Sequence, residues 1–588
     1  MSALSPRALA IVAIVLALAA PHLVSAFYVT LLNYIGVYAL VAIGLTLLTG
    51  VAGVVSFGQA ALVGIAAYAT AWLTTTQGLS PWIGLGFALV STLAAAALIG
   101  LITMRLKGHL LSLSTVAWGL AIAFCFGNVD GLGNFTGIAA IPPIYLGPIS
   151  LGPSQRIYYL ILAVVVAGLW LARNLLDSRV GRAMRALRGG ALLVESVAVD
   201  PFRARLTAFL LAAAFAALSG WLYAHLGRFV SPSSFDAGAG IEYLMMAMIG
   251  GAASPLGGLI GAALITWAKN AIQDYLPLIA GGAAGQLEIV VFSALFILFL
   301  QRARDGVTPY LAALLPWRPA PLAPAPLLPR RALPSPGAPL LTLEHVERRF
   351  KGLIAVSDLS FEVKAVEILG LIGPNGAGKS TTFNLITGAL APSAGAIRFL
   401  GETVTGKRQY VIARSGIART FQHVKLRPRM SALDNVLIGA FGRLSSGVFR
   451  AALRLNRAEE ASARHDAQRA LERVGLGARA FDLAGQLSLG EQRLLEIARA
   501  LMTDPILLVL DEPAAGLRRA EKQALADLLR DLRGEGLTIL VVEHDMDFVM
   551  NLVDRLVVMD FGCKLAEGPP VAVRADARVR EAYLGGVA

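Results

Sequence analysis

The chain has few charged residues and few cysteines. Charged side chains make up 15% of its 588 residues, against about 25% in soluble globular proteins, so much of the molecule must face lipid. Cys125 and Cys563 are the two cysteines, which excludes a disulfide framework and a cysteine-based metal site. Acidic residues are scarce before Leu343, and the net charge is +13. Basic loops beside membrane spans explain this charge better than nucleic-acid binding does.

Long apolar runs are abundant and fill residues 8–300. A helical bilayer crossing needs about 20 apolar residues. Candidate spans centre on 8–26, 28–49, 54–73, 83–104, 110–127, 157–173, 206–226, 241–268 and 287–300. We therefore predict a polytopic α-helical membrane domain of about 8–10 spans. The first run also resembles a signal peptide ending at Val24-Ser25-Ala26, but further spans follow at once, which favours an uncleaved first helix.

Basic residues predict the orientation of this domain. They cluster at Arg105 and Lys107, within 173–188, and at Arg302 and Arg304. Lys and Arg are enriched in cytoplasmic loops of membrane proteins. The part of the chain that follows Arg304 is therefore predicted to be cytoplasmic.

Proline marks a boundary between two kinds of sequence. Residues 316–339 contain nine prolines, a density that forbids a helix and favours an extended spacer. From Leu340 onward, short β-branched runs alternate with amphipathic helical stretches, as in an α/β domain. The predicted domains are a transmembrane domain at 1–305, a Pro-rich linker at 306–339 and an α/β domain at 340–588.

A glycine-rich loop follows the strand-like run Ile368–Ile372 and precedes a helical stretch. This context is typical of a phosphate-binding P-loop, because backbone N–H groups and the helix dipole attract phosphate. Lys379 is expected to contact the β- and γ-phosphates, and Ser380 to ligate Mg²⁺. The cofactors predicted are ATP and Mg²⁺. The predicted nucleotide-binding residues of this loop are Gly373, Pro374, Asn375, Gly376, Ala377, Gly378, Lys379, Ser380 and Thr381.

A second strand-like run, residues 506–510, ends in two carboxylates, Asp511 and Glu512. Phosphoryl-transfer sites need one group that holds Mg²⁺ and another that orients the attacking nucleophile. We assign Asp511 to Mg²⁺ and Glu512 to the general base.

Ser488, Leu489, Gly490 and Glu491 open a helical stretch with the Ser–Glu spacing of a capping box. On their own they are explained by a well-capped helix. In this position they resemble the signature motif of ABC ATPases, usually Leu-Ser-Gly-Gly-Gln, although Leu489 and Glu491 depart from that form. The resemblance implies that they contact the γ-phosphate of ATP held by the opposite subunit.

The remaining ABC motifs follow in the order usual for that family. Gln422 matches the Q-loop, which the resemblance assigns to sensing Mg²⁺ and γ-phosphate, and His544 matches the switch histidine. Phe350 lies where the family stacks a ring on adenine, although a core aromatic is the alternative. Arg518 and Arg519 replace the usual Asn-Pro, so we expect a disturbed contact at the seam of the ATPase dimer.

Longer motifs resemble the ATPases of branched-chain amino acid uptake systems. They are residues 416–422, 494–501, 543–546 and the tail at 581–585. The tail discriminates best, because generic ABC ATPases lack it. The N-terminal half resembles the importer-type permease of the same systems. Its matching segments are 53–68, 105–108, 181–186 and 250–258. These subunits are usually separate polypeptides, so a natural fusion is predicted.

Glycine-rich breaks at 50–59 and 250–258 interrupt apolar spans. Irregular backbone at membrane depth is tolerated where it is buried in protein or lines a cavity, so Ser56 and Gln59 are candidates for the solute path. Helix packing through small residues is an equally good explanation. Glu242, near a span end, is interpreted as interfacial. The basic stretch from 178 to about 200 resembles the coupling helix that enters a groove of the ATPase, or is simply a cytoplasmic loop.

Together these features predict a fused permease–ATPase subunit that imports branched-chain or hydrophobic amino acids across the bacterial inner membrane. The resemblance implies a second permease, a second ABC ATPase or a second copy of this chain, and a periplasmic solute-binding protein. An ABC exporter is one alternative, but exporters use fewer, longer helices with polar loops. Importers of urea, amides or aromatic acids are another. A regulatory ABC protein with a passive anchor is the third, and the glycine-broken spans argue against it.

Overall fold

The computed structural model describes residues 6–106, 108–280, 284–314 and 324–584. The chain forms two compact units, Met1–Asp177 with Phe202–Pro319 and Ser178–Pro201 with Ala320–Ala588. The second unit thus includes a segment, 178–201, that lies within the predicted transmembrane domain, and the predicted domain limits stay predictions. Lys107, residues 315–323 of the predicted linker and Gly585 of the predicted tail lie outside the described residues.

Helices dominate the part of the chain before the proline-rich stretch. In chain order they are α1 (Pro6–Leu23), α2 (Ala26–Leu45), α3 (Gln59–Thr75), α4 (Pro81–Thr103), α5 (His109–Asn128), α6 (Ser154–Leu176), α7 (Arg179–Leu187), α8 (Ala191–Ser196), α9 (Pro201–Gly227), α10 (Ala237–Gly250), α11 (Pro255–Ala280), α12 (Ala284–Arg302) and α13 (Thr308–Leu314). Short strands form two antiparallel two-stranded sheets, β1 (Ile138–Ala139) with the distant β4 (Phe229–Val230), and β2 (Tyr145–Leu146) with β3 (Ile149–Ser150) in a hairpin.

Five helices in the described residues are long and apolar enough to cross a membrane, or up to six if a bent pair counts as one span. They are Ala26–Val51, Pro81–Thr103, His109–Asn128, Ser154–Leu176 and Pro201–Gly227, with the pair Pro232–Gly250 and Pro255–Leu278 bent by 117°. Shorter apolar helices occupy Ile11–Leu23 and Val290–Arg302, and α3 has 17 residues. The length criterion thus gives five or six crossings for the described residues, and three further apolar helices, α1, α3 and α12, have 18, 17 and 19 residues, close to the minimum length for a crossing.

Small residues allow close packing at both glycine-rich breaks. A Cβ added at Gly250 would collide with the Gly257 carbonyl, and one added at Gly50 would collide with the Ala252 carbonyl. These contacts join α10 to α11 and bring the end of the α2 span against the loop between them. For these glycines the structure favours the packing explanation.

The second unit is an α/β domain, as predicted. Its strands are β5 (Pro339–Phe350), β6 (Leu353–Lys364), β7 (Ile368–Ile372), β8 (Ala394–Phe399), β9 (Glu402–Thr403), β10 (Ile417–Arg419), β11 (Leu507–Asp511), β12 (Thr538–Val542), β13 (Arg555–Asp560) and β14 (Cys563–Gly568). Its remaining helices are α14 (Lys379–Ile386), α15 (Gln409–Ser415), α16 (Ala432–Gly439), α17 (Val448–Ala452), α18 (Arg457–Arg473), α19 (Leu489–Leu501), α20 (Arg519–Gly534), α21 (Met546–Leu552), α22 (Pro570–Ala575) and α23 (Ala577–Leu584).

Two sheets organise this unit. A six-stranded sheet has the order β10-β11-β12-β7-β13-β14 and is parallel except for β14, and a four-stranded antiparallel sheet has the order β6-β5-β8-β9. Side chains alternate between the two faces of a strand. Leu508 and Leu510 of β11 therefore join the core beneath α16 and α19, whereas Leu507 and Val509 join the core shared with the antiparallel sheet.

The described part of the proline-rich stretch lies on the second unit. Leu328 is buried in its core. The Arg331 N–H donates to Asp504, and the Arg443 guanidinium donates to the carbonyls of Leu328 and Pro329. Residues 324–333 are thus extended, as their prolines predict, but they are held by the α/β unit instead of forming a free spacer.

Candidate functional site

The P-loop has the strand–loop–helix geometry predicted from its sequence. Strand β7 is buried along its length and α14 begins at Lys379. Gly376 and Gly378 have φ angles of 86° and 96°, which L-residues with a Cβ rarely adopt. A Cβ at Gly378 would also approach the Ala355 carbonyl oxygen to 2.5 Å. The two glycines therefore let the loop curl in front of the helix N-terminus, as phosphate binding requires.

Lys379 and Asp511 are brought to the same end of the parallel strands. The Lys379 Nζ donates to the carbonyls of Gly373 and Pro374 at 2.7 and 2.9 Å. Burial lowers the pKa of Lys379, while the nearby carboxylates of Glu512 and Asp511 oppose this shift. The ammonium group therefore lies between the loop and two acidic side chains.

Asp511 is the better placed of these carboxylates to hold a cation. Burial raises the pKa of Asp511 to about 6, an effect that Arg419 opposes and that Glu512 and Glu543 reinforce. Its Oδ1 atom is buried and accepts no hydrogen bond from the described residues. A buried, unpaired carboxylate oxygen is costly unless it meets a positive partner. Ser380, in the first turn of α14, is an exposed residue. The donor set therefore fits Mg²⁺, which prefers oxygen ligands.

Three of the predicted catalytic side chains meet around Glu512. The Gln422 Nε2 donates to the Glu512 Oε2 at 3.1 Å, and the His544 Nδ1 lies 3.8 Å from the same oxygen. The three residues come from the loop after β10, the end of β11 and the end of β12, which are neighbouring parallel strands. The Glu512 carboxylate remains about one-fifth exposed, so it has access to water.

The structure also shows why Glu512 has a fixed position. Its φ angle is 46°, an uncommon conformation for a residue with a side chain, and its N–H donates to the Val542 carbonyl at 2.8 Å. Next to it, the buried Glu543 accepts hydrogen bonds from the N–H groups of Ala514 and His544. Burial raises the pKa of Glu543, and these N–H donors oppose the rise. Glu543 thus joins two loops of the site.

Two arginines of the site were not assigned a role from sequence. The Arg493 guanidinium donates to the carbonyls of Glu512 and Gln422 at 3.0 and 3.4 Å, linking α19 to both loops. The buried Arg419 lies between the rings of Phe383 and Phe421 and donates to Thr387. Arg419 belongs to the motif 416–422 quoted above, but the sequence gives no signal of the partners of either arginine.

The signature residues form the capping box that their spacing predicts. Ser488 is the N-cap of α19, its hydroxyl accepts from the Glu491 N–H, and Glu491 accepts from the Ser488 N–H at 2.8 Å. Leu489 is exposed, and Gly490 faces Glu521 of α20. The pocket lined by Ser488, Gly490 and Glu491 includes none of the described P-loop residues. These residues are therefore displayed on a separate surface of the unit.

Phe350 ends strand β5 with its ring exposed, and the Arg348 guanidinium lies 4.6 Å from the ring centroid. The alternative of a core aromatic is therefore wrong. Its role in binding adenine stays a prediction.

The C-terminal tail lies beside the P-loop. Arg578, Glu581 and Ala582 of α23 line a cavity of about 660 Å³ together with loop residues 374–377. The Tyr583 hydroxyl is buried near the Gly373 backbone, and burial raises the pKa of Tyr583 to about 12. Sequence alone used this tail as a family marker, and the structure places it against the phosphate loop.

The chain is similar to known proteins over this unit. The high-affinity branched-chain amino acid transport ATP-binding protein LivG of Salmonella typhimurium is 43% identical over 250 residues, which are 42% of this chain and 98% of LivG. BraF of Pseudomonas aeruginosa, of the same description, is 42% identical with the same coverage. The chain belongs to the branched-chain amino acid ABC transporter family. Its C-terminal unit is an ATP-hydrolysing cassette.

Family profiles extend this likeness to both halves of the ABC transporter chain. The profile described as branched-chain amino acid transport system / permease component matches residues 27–300. The ABC transporter profile matches 356–515, and the branched-chain amino acid ATP-binding cassette transporter profile matches 563–588. The crystal structure of a nucleotide-free ATP-binding cassette from an ABC transporter is 33% identical, covers 42% of this chain and 98% of that chain, and has a TM-score of 0.38. The predicted fusion of a permease with an ABC ATPase is confirmed.

The basic segment 178–201 of this ABC transporter chain packs on the cassette. Arg182 of α7 pairs with Glu460 at 2.7 Å, and the Arg179 guanidinium lies 4.0 Å from the Phe441 ring centroid. Arg414 of α15 donates to the Ala198 carbonyl at 3.1 Å. The chain leaves the membrane half after α6 and returns to it at α9. Residues 178–201 are therefore a part of the permease sequence that contacts the ATPase.

The residues predicted for the solute path of the ABC transporter are both buried. Ser56 lies in the break between the span Ala26–Val51 and α3, Gln59 is the first residue of α3, and the two are 0% and 1% exposed. The Ser56 Oγ and both polar atoms of the Gln59 amide have no hydrogen-bond partner among the described residues. Their place in a solute path stays a prediction.

Proposed function

We propose that this chain is a fused permease–ATPase subunit that imports branched-chain or other hydrophobic amino acids across the bacterial inner membrane. The observation that carries the proposal is the meeting of Gln422, Glu512 and His544 in a unit that also holds the segment 178–201. The ATP-hydrolysing site and a piece of the permease thereby share one compact unit.

The nucleotide site is proposed to work as follows. The P-loop amides and Lys379 bind the phosphates of ATP, and the exposed Phe350 ring stacks on adenine. Ser380, Gln422 and Asp511 hold Mg²⁺, which supplies charge neutralisation at the transferring phosphoryl group. Glu512 accepts the proton of the attacking water, since general-base catalysis requires a carboxylate within hydrogen-bond reach of it. His544, beside the same carboxylate, orients the γ-phosphate.

The exposed signature residues support a partner cassette. Ser488, Gly490 and Glu491 line a pocket without the described P-loop residues, and Leu489 beside them is exposed, so the four residues are available to the ATP of another subunit. The second cassette belongs to a paralogous ATPase or to a second copy of this chain. A second permease and a periplasmic solute-binding protein complete the proposed assembly, and the solute-binding protein sets much of the specificity.

Closure of the cassette pair on ATP is proposed to move the segment 178–201 and to change which side of the membrane the permease faces. The permease is proposed to alternate between two conformations, and nucleotide binding shifts the equilibrium between them. Ser56 and Gln59 are proposed to line the solute path. Their buried, unpaired polar atoms support this, because such atoms are costly unless another conformation or a solute satisfies them.

The proposal is tested by reconstituting the chain with its partners in proteoliposomes, with ATP on the cassette side. We expect radiolabelled L-leucine to accumulate against its gradient only when ATP and the solute-binding protein are both present. Glu512→Gln is the matched negative control. Failure of the wild-type assembly to accumulate leucine, with ATPase activity intact, would contradict leucine as the solute. Movement toward the compartment that contains ATP is expected, and movement in the opposite direction would contradict import.

A further inference from the structure

A cavity of about 310 Å³ in the membrane half is the most informative feature outside the nucleotide site. It lies between α2, α9, α10 and α11, and is lined by the aromatic residues Tyr34, Tyr38, Tyr223 and Tyr243 and by the charged residues Glu242 and Lys269. Ligand pockets usually span about 300–1,000 Å³, so this cavity suits a small solute.

The cavity contains one charge of each sign. The Lys269 Nζ donates to the Glu242 Oε2 at 2.8 Å, and the two side chains are 38% and 23% exposed. The interpretation of Glu242 as an interfacial residue does not explain this pair, which links α11 to α10. Charged residues inside membrane spans usually face a cavity and mark a solute or ion path.

Aromatic rings line the same cavity as the ion pair. The Tyr34 ring lies 5.9 Å from the Tyr38 ring and 6.3 Å from the Tyr223 ring, and Tyr38 lies 5.7 Å from Tyr243. Ring faces attract cations within about 6 Å and also pack against apolar side chains. This wall can therefore receive an ammonium group and a hydrocarbon side chain together.

We propose that this cavity binds a zwitterionic amino acid, with its ammonium group at Glu242, its carboxylate at Lys269 and its side chain against the tyrosine rings. The inference rests on the proposed function and names the class of solute that the membrane half binds. A zwitterion inserted into the Glu242–Lys269 pair replaces one ion pair by two. A solute with net charge leaves one charge unpaired in a poorly solvated site, which is costly.

The position of the cavity agrees with delivery from a solute-binding protein. Tyr223 lies in the last turn of α9, which begins after the segment 178–201. In the proposed orientation that segment is cytoplasmic, so the end of α9 is periplasmic. The cavity is therefore nearer the face at which solute arrives.

The test measures binding directly, so that it does not depend on transport. The full chain with its partner permease and ATPase but without the solute-binding protein, which would itself bind the ligand, is dialysed in detergent and without nucleotide against radiolabelled L-leucine. Unlabelled L-leucine, leucinamide and 4-methylpentanoate then compete as zwitterion, cation and anion of matched carbon skeleton. We expect both singly charged probes to compete at least about tenfold more weakly than L-leucine, the change expected for one lost charge partner.

Three variants and a control complete the experiment. Glu242→Gln and Lys269→Gln should each weaken L-leucine binding at least about tenfold, and the exchange Glu242→Lys with Lys269→Glu should restore most of it. Asp130→Asn removes an exposed carboxylate after α5, outside the cavity lining, and should bind L-leucine as wild type does. Thermal unfolding confirms that each variant is folded.

The possible outcomes separate this inference from the proposed function. Absence of L-leucine binding to the wild type, equal competition by all three probes, or unchanged binding in both single variants would overturn the cavity assignment. Uptake of leucine by wild-type proteoliposomes in the same preparation would still support import. Conversely, binding with the expected charge selectivity but without uptake would support the cavity and contradict the proposed function.

Discussion

Glu512 is held by several contacts at once. Its backbone is in an uncommon conformation with a φ of 46°, its carboxylate accepts from Gln422, and His544 lies 3.8 Å away. A side chain so constrained is suited to orienting one water molecule, because general-base efficiency depends on position. For ATP hydrolysis, the ability of the Glu512 side chain to accept a proton should therefore matter more than the size of the side chain.

The variant Glu512→Gln tests this directly. Its amide has nearly the same shape but cannot accept a proton, so we expect steady-state ATP hydrolysis to fall at least about 100-fold, the lower end for a general base. ATP binding should remain, and nucleotide retained after rapid gel filtration should be ATP. Sustained hydrolysis by this variant would contradict the base assignment.

Arg493 is expected to position the site without touching the nucleotide. It donates to the carbonyls of Glu512 and Gln422, so Arg493→Met leaves two loops less well fixed. We expect kcat to fall about tenfold, corresponding to roughly 1.4 kcal/mol, with little change in the KM for ATP. Arg530→Met, which removes an exposed guanidinium from α20, is the control. A raised KM at unchanged kcat would instead assign Arg493 to ATP binding.

At the scale of elements, the contact of α7 with the cassette depends on opposite charge. Arg182 and Glu460 are nearly buried, 3% and 12% exposed, and lie 2.7 Å apart. Removing one partner of such a pair leaves a poorly solvated charge. We expect Arg182→Glu to abolish transport while part of the ATPase activity persists, and the exchange Arg182→Glu with Glu460→Arg to restore transport. Unchanged uptake in the single variant would show that this pair is not needed for coupling.

The start of α20 offers a second test at this scale. Arg518 is the N-cap and Arg519 the first residue of the helix. Asn is a better N-cap, and Pro suits the first helical position, so Arg518→Asn with Arg519→Pro should stabilise the cassette by about 1 kcal/mol. The same change should raise ATPase activity if the two cations disturb the dimer seam. Calorimetry and a coupled ATPase assay measure the two effects, and an unchanged ATPase rate would show that the cations are harmless.

The whole molecule should tolerate a break between its two units at the proline-rich stretch. Residues 324–333 and the segment 178–201 both belong to the second unit. We expect a protease site inserted between Leu314 and Pro324 to be cut without loss of ATPase activity or transport. A cut between Arg330 and Arg331 is the matched comparison, and it should lower the melting temperature because it disturbs the Arg331–Asp504 hydrogen bond. Dissociation of the cut halves would contradict the expectation.

Local sequence patterns predicted the helices and strands of the cassette, but they did not predict its long-range contacts. The run Ile368–Ile372, the glycines after it and the Ser488–Glu491 spacing each specify their structure within a few residues. Family resemblance assigned Gln422 to sensing Mg²⁺ and γ-phosphate, but its hydrogen bond to Glu512 was not predicted, because no local signal joins residues that far apart. Arg493, Glu543 and the Glu242–Lys269 pair became meaningful only in three dimensions.

The location of residues 178–201 has a practical consequence for recombinant work. A truncated protein that begins at residue 320 would lack α7 and α8, whose buried side chains include Met184, Leu193 and Val194. The cassette surface that packs against these helices, including the Phe441 ring that Arg179 covers, would then be exposed to solvent and would favour precipitation. Adding residues 178–201 as a synthetic peptide should restore solubility. The separately produced ATPase would then consist of two polypeptides.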